Sequence, residues 1–61
     1  MRRYSFIEVQ YRDGNREQLP PDFKLTSDGD FLWILDAVGP LYRRLLRNVA
    51  GVQLVELEQR E

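Results

Sequence analysis

The 61 residues contain no cysteine and no histidine, and lysine occurs only once. Without cysteine there is no thiolate nucleophile and no disulfide staple; without either residue, Cys/His zinc sites and imidazole acid–base catalysis are excluded as well. Net charge of one sign is also lacking, with 9 Lys and Arg against 10 Asp and Glu, so no overall field draws the chain to nucleic acid or to an anionic membrane. No apolar run approaches the roughly 18 to 20 residues that span a bilayer. The opening Met1-Arg2-Arg3-Tyr4-Ser5-Phe6 leads into a polar-interrupted stretch instead of a signal-peptide core, and the expected location is the cytoplasm. No glycine-rich phosphate loop or recognisable nucleophile setting occurs, so no enzyme activity and no cofactor is expected.

What is present reads as one small domain over residues 1–61, with 43% apolar and 31% charged residues. Chains this short gain margin from disulfides, metals or self-association, and only the last suits this composition. Asp13-Gly14-Asn15, Pro20-Pro21, Ser27-Asp28-Gly29-Asp30, Gly39-Pro40 and Gly51 cut the sequence into short pieces at the spacing of an all-β domain. From Tyr4 to Arg12, Ile7, Val9 and Tyr11 alternate with Glu8, Gln10 and Arg12, which predicts a strand. Arg16 to Leu19 reads as a short return strand ended by Pro20-Pro21. Phe23 to Thr26 and Phe31 to Leu35 read as a second hairpin around Ser27–Asp30.

Residues 39–51 admit two readings. Leu41, Tyr42, Leu45, Leu46, Val49 and Ala50 recur at helical spacing, with Pro40 at a first helical position and Gly51 just past the end. That pattern predicts a helix at 41–50 and a ββαβ architecture. The competing reading is a strand over Leu41–Leu46, one 3₁₀ turn at Arg47–Ala50, and a last strand over Val52–Leu57.

The second reading carries a resemblance. Leu46-Arg47-Asn48-Val49-Ala50-Gly51-Val52-Gln53-Leu54-Val55 resembles the end of SH3-like small β-barrels, in which a strand enters a 3₁₀ turn and then a short closing strand. Val9-Gln10-Tyr11-Arg12-Asp13-Gly14 is similar to the first strand and turn of short bacterial and phage proteins of that shape. The resemblance implies an all-β, five-stranded barrel with one 3₁₀ turn before its last strand, and it transfers no site residues. Such barrels serve as dimerisation domains, as RNA-binding rings or as peptide-binding modules.

Phe31-Leu32-Trp33-Ile34-Leu35 is apolar on both sides, with Phe31, Trp33 and Leu35 on one and Leu32 and Ile34 on the other. Val52 and Leu54 oppose Val55 and Leu57 in the same way. A strand that is greasy on both faces expects cover on both. The expected interaction surface is therefore Leu32, Ile34, Val52 and Leu54, taken as facing outward, and the preferred function is a protein–protein interaction and homo-oligomerisation module. The rival function is nucleic-acid binding through Tyr42, Arg43, Arg44 and Arg47, which combine phosphate-binding charge with a stacking ring. Asp28 and Asp30 around Gly29 resemble a calcium loop only in outline, because the further oxygen ligands and the closing Glu are missing.

Overall fold

The computed structural model describes residues 2–59, and they form six strands with no α-helix. The strands are β1 (Arg2–Tyr11), β2 (Arg16–Leu19), β3 (Lys24–Asp28), β4 (Phe31–Leu35), β5 (Pro40–Leu45) and β6 (Val49–Gln59), with a 3₁₀ turn at Leu46–Asn48. They make two antiparallel three-stranded sheets, β2-β1-β6 and β3-β4-β5. Among the described residues no ladder joins the two sheets. The expected closed five-stranded barrel is corrected to six strands in two open sheets. The expected 3₁₀ turn before the last strand is present, but at Leu46–Asn48 instead of Arg47–Ala50, and the last strand starts at Val49 instead of Val52.

Each reversal follows from its residues. In the β1–β2 hairpin the Asp13 carboxylate accepts the Asn15 backbone N–H at 3.0 Å, and Gly14 takes the positive φ of 94° that the bend requires. Pro21 follows Pro20, whose carbonyl accepts the Phe23 N–H at 3.1 Å, a turn with proline at its favoured second position. Gly29-Asp30 forms a two-residue hairpin loop between the paired Asp28 and Phe31, and only Gly29 has positive φ, the pattern of a type II′ turn. Asp36 closes the β4–β5 turn by accepting the backbone N–H groups of Val38 and Gly39.

The helix expected over residues 41–50 does not form. Tyr42, Arg43, Arg44 and Leu45 instead pair with Ile34, Trp33, Leu32 and Phe31. A helix of about ten residues is marginal by itself, because its nucleation cost is spread over few hydrogen bonds. Pairing with β4 supplies a ladder over Pro40–Leu45 and buries β4 as well. Helical periodicity survives in the sequence because a strand followed by a 3₁₀ turn also spaces apolar residues three or four apart.

The core lies between the sheets, where Val9, Leu19, Leu32 and Ile34 are buried and Ile7, Tyr11, Phe23, Leu25, Tyr42 and Val49 pack around them. Val9 and Ile34 are wholly enclosed. Directly opposed residues of an antiparallel pair share a face, so register assigns every side. In the second sheet Leu25, Ile34 and Tyr42 form one inward row, and Thr26, Trp33 and Arg43 form one outward row. The radius of gyration is 13.0 Å, against about 10.5 Å for a compact chain of this length. The excess arises where β1 and β6 run on together past the short β2, pairing from Ile7 and Leu54 out to Arg2 and Gln59.

Candidate functional site

Leu32 and Ile34 do not belong to an outer surface. They are 6% and 0% exposed, inside the chain's own core. The expectation that they face outward is corrected: β4 is apolar on both sides, but the sides are exchanged. Branched aliphatic chains fit the narrow gap against Val9 and Leu19, and the wider aromatics turn out. There Phe31 and Trp33 are half-buried beneath the Arg43 guanidinium, which lies 4.1 Å from the Phe31 ring centre and 5.5 Å from that of Trp33. A cation over each ring covers part of the apolar surface within the chain.

Val52 and Leu54 are placed differently. Val52 pairs with Val9 and Leu54 with Ile7, so both sit on the inward face of the first sheet, continuous with the core. Yet they are 48% and 59% exposed, while Val9 and Leu19 on the same face are buried. The core takes in β1, β2 and the start of β6 at Val49, and leaves Val52 and Leu54 largely uncovered. On the outer face of the same ribbon, Tyr4 opposes Leu57 and Phe6 opposes Val55, and Tyr4 and Leu57 are exposed. Among the described residues no strand occupies the free edge of β6. One strand of 11 residues thus offers an open apolar strip and a row of unbonded backbone groups together.

The expected basic patch is divided. Tyr42 and Arg44 point inward from β5, whereas Arg43 points outward between them. The Tyr42 hydroxyl donates to Glu17 Oε2 at 2.6 Å, and the Tyr11 hydroxyl donates to Glu17 Oε1 at 2.5 Å. Arg44 adds a contact of 3.6 Å to Glu17 Oε2 and lies 4.4 Å from the centre of the Tyr42 ring. Arg47 sits in the 3₁₀ turn, where its carbonyl accepts the Arg12 Nε–H at 2.8 Å. The patch is therefore split between the two sides of β5, and Arg44 is already engaged by a carboxylate.

Glu17 is what the sequence reading missed. From β2 it clasps Tyr11 of β1 and Tyr42 and Arg44 of β5, bridging the two sheets at one end of the core. Burial disfavours its charge, but the two tyrosine donors and Arg44 together outweigh burial and hold its carboxyl below the ordinary value. Burial and the adjacent carboxylate push Tyr42 up to about 12 and raise Tyr11 in the same direction. Hydrogen bonding to Tyr11, opposed by burial and reinforced by the charge of Glu17, raises Arg44. Neutral donors around a fixed anion make a structural fastener. Nothing in the alternation of Arg16-Glu17-Gln18-Leu19 distinguishes Glu17 from a solvated residue.

On the outer face of β1, Glu8 is buried although charged; Gln10 Nε2 donates to it at 3.0 Å and Arg16 stands 3.8 Å away. Among the described residues no cluster of three or more Asp and Glu is arranged to hold a metal ion, and no helix is long and apolar enough to cross a membrane. Comparison with models of known protein families, with curated proteins and with solved structures finds no match to this chain.

Proposed function

We propose that this chain is a non-enzymatic protein–protein interaction module of the cytoplasm of a bacterium or of a phage-infected cell, and that it homo-oligomerises through β6. The observation that carries this reading is the exposure of Val52 and Leu54, 48% and 59%, on a sheet face that is otherwise core. Each large aliphatic side chain left in water forgoes roughly 1.5 to 3 kcal/mol of burial, a large share of the stability of a domain this small. The strand order, with its 3₁₀ turn before the last strand, supports an open variant of the SH3-like small barrel as the scaffold. The site that the sequence placed on Leu32, Ile34, Val52 and Leu54 reduces to the last two.

Light scattering of the eluting protein tests the reading. The apparent mass is expected to rise from 7.3 kDa toward a dimer as concentration climbs through the micromolar range. A constant monomer mass, together with the lack of any protein that binds the Val52–Leu54 strip, would contradict it.

The nucleic-acid reading draws less support. A phosphate-binding surface needs its cations on one side, and Arg43 and Arg44 take opposite sides of β5, with Arg44 held by Glu17.

A further inference from the structure

We infer that the occupant of the β6 edge is the β6 strand of a second copy, paired antiparallel about a two-fold axis at Gln53, so that two first sheets become one six-stranded sheet. The inference rests on the oligomerisation proposed above and specifies its geometry. An interface through a two-fold brings one patch against itself, so the patch must be complementary to its own rotated image.

Three features of β6 meet that condition. With Gln53 on the axis, Val52 stands opposite the second copy's Leu54, and Leu54 opposite its Val52, which doubles the apolar strip without a mismatch. Gly51 then opposes Val55 on the other face, and Glu56 opposes Ala50. The charges also sort correctly. Arg47 lies just before the strand and Glu56 toward its far end, where Glu58 is already paired with Arg3 of β1 at 2.9 Å, so antiparallel pairing sets the basic start of one copy toward Glu56 of the other. A parallel pairing would stack Glu56 on Glu56 and Glu58 on Glu58, and like charges directly opposite are destabilising.

From Val52 to Leu57 the edge holds no proline and no lysine, and Glu56 is its one charge; the register shift against β1 lies before this stretch, between Gly51 and Val49. Strand addition supplies the missing half of the ladder.

Hydrogen exchange of the β6 amides across a dilution series tests the geometry separately from association. In a lone chain the amides of β6 that point away from β1 exchange freely. When the dimer predominates, those between Gly51 and Val55 are expected to slow by about tenfold or more, and to recover on dilution. A second measurement uses the absence of native cysteine. Oxidised Gln53→Cys is expected to form a covalent dimer readily, and Glu58→Cys is not, since the two positions 58 lie about 34 Å apart along the paired strands at about 3.4 Å per residue. Association without slowed edge amides, or with equal cross-linking at both positions, overturns the edge pairing and leaves oligomerisation by another face. Failure to associate at high micromolar concentration overturns both.

Discussion

The two ends of the first sheet's inward face carry the same kind of residue and meet opposite fates. At the β1–β2 end, Val9 and Leu19 are sealed by Leu32 and Ile34, and Glu17 fastens the sheets together through Tyr11 and Tyr42. At the β6 end, Val52 and Leu54 continue the same apolar face with nothing over them. Hydrophobicity is therefore not what separates core from surface here. The sideways reach of the covering sheet decides it: Val9 and Val52 lie side by side in register, yet Val9 is wholly enclosed and Val52 is 48% exposed. The β6 side of that face is left open to solvent.

The closed end is the easier to break. Ile34→Ala leaves a cavity beside Val9 and is expected to cost about 2 to 5 kcal/mol, enough to unfold much of the population, as chemical denaturation would read. Leu54→Ala at the open end is expected to change the stability of the dilute monomer by no more than about 0.5 kcal/mol. Equal costs at the two positions would erase the distinction.

Removing the fastener comes next in size. Glu17→Ala leaves the Tyr11 and Tyr42 hydroxyls without their acceptor, at an expected cost of about 1 to 3 kcal/mol. The same contact has a pH signature. Tyr42 titrates higher when folded, at about 12 against 10.0, so its contribution is complete below pH 10 and is lost as pH rises toward 12. Glu17 titrates below its ordinary 4.5, so its contribution holds above that value and is lost as pH falls through the lowered one. Thermal unfolding of the native chain is expected to show both declines; the Glu17→Ala chain is expected to lack the Glu17 contribution at low pH and to keep a weaker alkaline decline, because Tyr42 is still partly buried. A smaller effect than at Glu17 is expected at Arg43, where truncation to alanine uncovers Phe31 and Trp33 and costs about 0.5 to 1 kcal/mol at this exposed site.

Much of this fold is legible before any coordinates. Gly14, Gly29 and the Pro20-Pro21 pair mark reversals because few other residues accept those backbone angles, and the β2 and β4 boundaries follow from them directly. Two things are not legible. Phe31–Leu35 is apolar at every position, so alternation alone does not say which set faces in, and only the pairing with β3 and β5 decides it. Likewise, Arg43-Arg44 reads as one patch in sequence, but a strand sends neighbours to opposite faces. The open strip on β6 is half visible: Val52 and Leu54 stand out in the sequence, but the sideways reach of the covering sheet does not.

The most direct test compares sedimentation equilibrium of the native chain with Leu54→Asp from low to high micromolar concentration. The native chain is expected to shift from monomer to dimer, while Leu54→Asp stays folded and monomeric throughout. A native chain that remains monomeric across the range, or a Leu54→Asp chain that dimerises as tightly as the native one, would contradict the claim that the open end of the first sheet is where copies meet.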